Sequence, residues 1–293
     1  MPPTPDAVAG AGYLGPEGTF SEEALLSSLD DPTVRPVGLE TIRDAVMAVQ
    51  DRALEWSVVP IENSIEGSVT VTLDTLAGDA GDVVIVGEVV LPVRHYLIGA
   101  TQLQLDGIET IVSHPHVPGQ CARFLHGKLP RARVVAASST AEAVRLVGER
   151  GDRSWAAIGT RLAAKLYGCV VIAEGIQDRE DNETRFVWLA RADSPHGAPP
   201  LRGADEAKAK TSLVFWGAGA DRAGWLVLCL DELAKRGINL TKIESRPMRE
   251  RLGQYMFFVD FEGSLAEGIV AEALAGLREL CEQVRVLGSY RAA

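Results

Sequence analysis

The sequence predicts an α/β chain in two parts, a two-lobed N-terminal region followed by a smaller βαββαβ unit. Three observations predict it. Short apolar runs alternate with segments of helical period as far as about residue 191, the pattern of a sheet covered by helices. Residues 193–209 then turn rich in Pro, Gly, Ala and charge, with Pro195, Pro199 and Pro200, and lose all apolar periodicity. Beyond this linker the order of apolar segments is strand, helix, strand, strand, helix, strand, the ferredoxin-like split arrangement.

In chain order, strands are expected over residues 12–15, 34–39, 56–61, 83–90, 108–113, 133–137, 156–159, 170–174 and 184–190, forming a mostly parallel sheet. Between them, Thr19 with Glu22 and Ser139 with Glu142 have capping-box spacing, in which a hydroxyl and a carboxylate satisfy the orphan amides of a helix start; Thr41 with Asp44 is a weaker version. Pro92 interrupts the apolar run 83–99, so the chain is expected to cross between lobes there. A return crossing over 174–182 would leave the strand that begins at Thr184 at the lobe interface, beside a cleft. The expected bounds are lobe 1 over about 8–90 and 176–192, lobe 2 over about 91–175, the linker over 193–209, and the C-terminal unit over 210–293. Within that unit strands are expected at 211–216, 239–246, 255–262 and 283–287, with helices at 223–236 and 265–280.

Charge and composition exclude several functions. In 293 residues, 40 acids against 29 bases give a net charge of −11, which argues against a nucleic-acid partner because such binding rests on Lys and Arg. An anionic ligand must then be held by local donors, such as one placed arginine or a helix N-terminus. No stretch approaches the roughly 20 apolar residues of a membrane span, and the first ten residues lack a basic start and an apolar run, so a cytoplasmic protein is expected. Cys121, Cys169, Cys229 and Cys281 form no CxxC pair and read as reduced core thiols.

Two apparent motifs fail on context. Gly10-Ala11-Gly12-Tyr13-Leu14-Gly15 spells a dinucleotide fingerprint, but no strand precedes Gly10 and the expected strand overlaps the motif, so no nucleotide cofactor is expected. His114 and His116 are spaced like a metal pair without a recognisable third ligand nearby, so no metal is expected. His95, His126 and His196 are isolated and read as packing or surface residues.

Four polar segments remain, each after an expected strand and several opening a helix, where amides and the helix dipole favour anions. They are GPEGTFS from Gly15, PIENSIEGS from Pro60, SHPH from Ser113 and NETRF from Asn182. With YLGPEGTFSEEA from Tyr13, VVPIENSIEGSV from Val58, Gln120-Cys121 behind SHP, and RGINLTKIESRP from Arg236, the chain resembles the bacterial prephenate dehydratases with a C-terminal ACT regulatory domain. The resemblance runs from about Gly12 to Tyr290. It implies a catalytic region of two α/β lobes resembling type II periplasmic binding proteins, with the site between them. It further implies a carbon–oxygen lyase that needs no cofactor and converts prephenate to phenylpyruvate in phenylalanine biosynthesis, feedback-regulated by phenylalanine.

By the same resemblance Thr184 is the principal catalytic residue, joined by Arg185, Phe186, Asn63, Ser113 and Gln120. The family has Gln after SHP where this chain has His116, which can reshape the loop that carries Gln120. Loss of hydroxide from prephenate calls for a donor at the departing oxygen, a role assigned here to the Thr184 hydroxyl, with Glu62 or His114 as the source of the proton. Arg185 is expected to grip a substrate carboxylate, and Thr19, Asn63, Ser64 and Ser68 to hold the pyruvyl end. The aromatic effector is expected between two C-terminal units, against Ala223, Gly224, Trp225, Leu226, Asn239, Leu240, Glu244, Ser245 and Arg246, which implies a homodimer or homotetramer. The family shows Pro-Gly-Ala-Leu where this chain has Ala223-Gly224-Trp225-Leu226, so the indole either enters the effector pocket or turns outward to a dimer contact. The rival readings are a dehydratase acting on arogenate and a non-catalytic binding protein with an amino-acid sensor.

Overall fold

The computed structural model describes residues 10–202, 208–217, 222–249 and 253–293. The chain begins with β1 (Gly10–Leu14), α1 (Phe20–Ser28), β2 (Arg35–Leu39), α2 (Ile42–Gln50), β3 (Trp56–Asn63), the short β4 (Gly67–Ser68), α3 (Thr70–Ala77) and β5 (Val83–Pro92). It crosses to a second sheet built from β6 (Tyr96–Gly99), β7 (Thr110–Ser113), α4 (Val117–Gln120), α5 (Ala122–Lys128), β8 (Arg133–Ala136), α6 (Thr140–Arg150), β9 (Trp155–Gly159), α7 (Arg161–Leu166) and β10 (Val170–Ala173). It returns through β11 (Glu183–Arg191), which inserts between β3 and β5 to give the order β2-β1-β3-β11-β5. The second sheet has the order β10-β6-β9-β7-β8.

In place of the single mostly parallel sheet expected from sequence there are two, and in each five-strand path four strands run the same way with one reversed. β1 is parallel to β2 and β3, but β11 is antiparallel to both of its neighbours. β6 is likewise antiparallel to β9 and β10. The reversal of β11 follows from the double passage: the chain leaves lobe 1 as β5 and comes back as β11 from the second lobe, with no helix between them packed on the first sheet as a crossover would be. Pro92 closes β5, an edge strand, where a missing amide costs no ladder bond on its outer side. The expected helix starts form. Thr19 accepts from the Glu22 amide at 3.4 Å, Ser139 from that of Glu142 at 3.0 Å, and Thr41 from that of Asp44 at 3.0 Å.

After the linker come β12 (Ala209–Trp216), α8 (Trp225–Ala234), β13 (Leu240–Pro247), β14 (Tyr255–Glu262), α9 (Gly268–Leu280) and β15 (Gln283–Arg291), a βαββαβ unit. Its sheet has the order β13-β14-β12-β15 and is antiparallel throughout. One face buries Leu213, Phe215 and Phe261 against the helices, through Trp225, Leu233 and Leu274. The other face packs on lobe 1, where Val214, Phe258 and Leu287 share a cluster with Val59, Ile61, Leu73 and Ile85. β15 crosses β5 so closely that a Cβ at Gly288 would meet the Ile85 carbonyl, which only glycine avoids. Cys229 and Cys281, 52 residues apart in sequence, have thiols 3.6 Å apart, and all four cysteines are free. Among the described residues no helix is long and apolar enough to cross a membrane.

Arg285 on β15 fastens the two parts together. Its guanidinium donates to the carbonyls of Leu76 at 2.5 Å, Ala80 at 2.6 Å, Gly81 at 3.1 Å and Val83 at 3.3 Å, at the C-terminal end of α3 where the helix dipole favours a cation. Arg285→Met removes the charge and strands these carbonyls in a half-buried seam. The expected cost is about 2 to 3 kcal/mol, read as an earlier urea midpoint. A midpoint equal to that of the native protein would show the seam to be held by apolar contact alone.

Candidate active site

The two lobes enclose a cleft of about 430 Å³. Lobe 1 reaches over it: Thr160 of the second lobe donates to the Gly18 carbonyl at 2.7 Å, and the Tyr167 hydroxyl to that of Glu17 at 3.1 Å. Two helices point their N-termini into the cleft from opposite sides, α1 with Thr19 and Phe20, and α6 with Ser138, Ser139 and Thr140. Amides in a first helical turn have no intrahelical partner, so each end is a place for an anion. Among the described residues lining the cleft there is no lysine or arginine. Besides three histidines and the carboxylate of Glu40, the lining offers a negative charge neutral donors and helix ends.

A continuous hydrogen-bonded network runs along one wall. Thr184 is the second residue of β11 and sits opposite Asn63 on β3. The Asn63 carboxamide is oriented by its own turn, because its Oδ1 accepts from the Ile65 and Glu66 amides at 2.9 Å each. Its Nδ2 therefore faces the other way and donates to Thr184 Oγ1 at 2.9 Å and to Asn182 Oδ1 at 2.9 Å. The Asn182 amide donates to Gln120 Oε1 at 3.3 Å, and His95 Nε2 lies 3.0 Å from the same oxygen. Since Gln120 turns its own amide to Glu66 at 3.1 Å, His95 must supply the proton of that bond and carries its hydrogen on Nε2. Its Nδ1 is then a buried acceptor with no partner among the described residues.

The network fixes the direction of the Thr184 hydroxyl. Its oxygen accepts from Asn63, and among the described residues it donates to none, so its proton is available to a ligand. Burial pushes the His95 pKa below the usual imidazole range, against the smaller opposing effect of Gln120, and burial with the nearby His116 does the same to His114, which also lines the cleft. Folded His95 thus holds fewer protons than an unfolded histidine, which titrates near pH ~6.5, so stability falls as the pH drops below that value. Thermal unfolding from pH ~7.5 to ~5 is expected to decline more steeply for the native protein than for His95→Asn. Parallel curves would remove His95 from the account, since His114 contributes equally to both.

Of the residues expected at the site, the cleft gathers Thr184, Asn63, Gln120, His114 and Thr19. It does not gather the others. Arg185 and Glu62 follow Thr184 and precede Asn63 on adjacent strands, and side chains alternate faces, so both point at the C-terminal unit instead. Phe186 is 2% exposed and packs in the lobe 1 core with Tyr13 and Trp188. Ser113 is fully buried, its hydroxyl donating to the Ile158 carbonyl at 3.2 Å. Ser64 braces the turn, accepting from the Glu183 amide at 3.0 Å and donating to the Asp181 carbonyl at 3.2 Å. Ser68 bonds to Lys242 and Glu244 of the C-terminal unit, at 2.8 and 3.1 Å.

Sequence reading missed His95, Asn182 as a network member, and the Ser138–Thr140 turn. The last had a usable signal: it follows a strand and opens a capped helix, as the segment around Thr19 does. His95 had none, being an isolated histidine.

In the C-terminal unit, alternation on the edge strand β13 again decides. Glu244 and Arg246 face lobe 1, Arg246 pairing with Asp74 at 2.9 Å, while Ser245 is on the exposed side. Trp225 packs in the core of its own unit, 6% exposed, edge-on to Phe215 and donating to the Leu280 carbonyl at 2.8 Å. Gly224, Trp225 and Leu226 line a hollow of about 170 Å³. Leu240 packs against the helices, and Asn239 is exposed with its carbonyl accepting from the Glu262 amide at 3.0 Å. Ala223 is exposed beside Gly224.

The sequence profile of the prephenate dehydratase family matches residues 11–194, which contain every residue of the network. A prephenate dehydratase from Amycolatopsis methanolica is 42% identical over 282 residues, covering 95% of this chain and 87% of that one. The crystal structure of prephenate dehydratase from Arthrobacter aurescens in complex with L-Phe superposes with a TM-score of 0.84 at 35% identity, over 97% of this chain and 90% of that one. A quorum-quenching acylase superposes with a TM-score of 0.81 at 27% identity, over 97% and 98%, so the architecture alone does not decide the chemistry. Identity of this extent, spread along nearly the whole length and including the cleft, makes the chain a member of the prephenate dehydratase family.

Proposed function

We propose that the chain is a prephenate dehydratase that converts prephenate to phenylpyruvate, carbon dioxide and water, and that its C-terminal unit is an ACT domain sensing phenylalanine. The observation that carries this is the Thr184 hydroxyl, oriented by Asn63 with its proton free toward the cleft. In the reaction the ring carboxylate leaves as carbon dioxide and its electron pair enters the ring. The ring hydroxyl departs from the opposite carbon with its own C–O bonding pair, and the pair left by carbon dioxide closes the aromatic system. One proton is taken up, and water is formed. Thr184 donates to the departing oxygen as charge develops on it, and the proton is taken up from solvent, since resupply by His114 would need its imidazolium, which its lowered pKa disfavours.

The cation-free lining supports the same reaction. A fixed guanidinium on the ring carboxylate would stabilise the ground state and slow its loss, since only contacts that strengthen in the transition state accelerate a step. Helix N-termini hold the pyruvyl carboxylate without that penalty, and Phe20 and Val117 leave the other carboxylate in apolar surroundings. Substrate grip by Arg185 is not part of this proposal.

Ultraviolet detection of phenylpyruvate formed from prephenate, with no cofactor added, tests the activity. Arogenate and an acyl-homoserine lactone are run beside it, and a higher kcat/KM for either would replace the reading. The relative solved with L-Phe supports phenylalanine as the effector, and titration of activity with phenylalanine, tyrosine and tryptophan tests it.

A further inference from the structure

The wall that carries Thr184 has a second side. β3 and β11 pair Asn63 with Thr184 and, one step along, Glu62 with Arg185. The first pair lines the cleft, and the second is buried against the C-terminal unit. Arg185 has a side chain only 12% exposed and meets three carboxylates: Glu62 at 3.2 Å, Glu88 at 3.1 Å, and Asp260 of β14 at 2.6 Å. Lys242 of β13 holds the other oxygen of Glu62 at 3.0 Å, and Lys210 of β12 pairs with Glu88. Glu62, Glu88 and Asp260 are thus balanced by Arg185, Lys210 and Lys242, with half of the six charges supplied by the C-terminal unit.

The backbone at this point is not held by an unbroken ladder. The register of β11 on β3 shifts between Arg185 and Phe186, and a bulge of this kind leaves the aim of nearby side chains to be set by other contacts. A buried ionic cluster is weak evidence of stability, but it defines geometry, because each member tolerates few positions of the others. We propose that Arg185 is a positioning residue through which the C-terminal unit, by way of Asp260, sets the placement of Thr184 and Asn63 in the cleft. The active site is then completed from outside the catalytic lobes, and whatever moves β14 relative to lobe 1 moves the reacting hydroxyl.

The test uses the full chain with Asp260→Asn, which keeps shape and removes charge, Asp260→Glu as the conservative control, and Lys242→Gln as a second route into the cluster. Its first readout, amide hydrogen exchange over 60–68 and 180–187, does not depend on the proposed reaction. Faster exchange there in Asp260→Asn, with the second lobe unchanged, is the expected result. The second readout, which rests on the dehydratase reading, is turnover of prephenate: kcat lower by about tenfold with KM little changed, and largely restored in Asp260→Glu, a coupling of the size that distant substitutions produce. If Asp260→Asn fails to fold, Lys242→Gln carries both readouts. Native exchange at both segments in a folded variant overturns the proposal, as does a raised KM at unchanged kcat. A native enzyme inactive on prephenate sinks the reaction instead, and exchange still decides the link.

Discussion

Thr184→Ala is expected to lower kcat on prephenate by about 100- to 1000-fold with little change in KM, the loss associated with one preorganised donor at a developing oxyanion. The fold should survive. Thr184 is half-buried near the start of β11, and its methyl makes no part of the described apolar clusters, so removing the hydroxyl opens no core cavity. Thr184→Ser keeps the donor and should recover most of the rate, with some loss because serine lacks the second Cβ substituent that limits rotation. Near-native kcat in the alanine variant would remove Thr184 from the chemistry.

Asn63→Asp is expected to be nearly as damaging for a different reason. The aspartate can still accept the Ile65 and Glu66 amides, so the turn remains. Its other oxygen, however, faces Thr184 as an acceptor where the native amide donates. The threonine hydroxyl then turns its proton toward residue 63 and away from the cleft. A fall in kcat of about 100-fold is expected, accompanied by a raised KM because a carboxylate now borders an anion site. A variant that loses affinity but keeps kcat would show that the direction of this one hydrogen bond is immaterial.

Much of the architecture was legible because it is local. Capping hydroxyls, strand periods and Pro92 each act over a few residues, and the helices that open into the cleft start where Thr19 and Ser139 say they should. Sheet direction was not legible, since β5 and β11 read as ordinary apolar strands and only their partners make them antiparallel. At the site, adjacency in a motif misled: Thr184, Arg185 and Phe186 are consecutive, yet strand alternation and the bulge send them to cleft, domain seam and core. His95 escaped notice because its role exists only once Gln120 and Asn182 are beside it, residues 25 and 62 positions from their partners in sequence.

The two passages of the chain between lobes meet where the Val93 amide donates to the Asn182 carbonyl at 2.8 Å. The side chain of Asn182 is tied on one hand to Asn63 and on the other to Gln120, one residue from each lobe. Any swing of the lobes about this hinge pulls those ties in opposite directions. The Asn63–Thr184 bond lies within one sheet, so a change in the angle between the lobes would reach the hydroxyl only through Asn182.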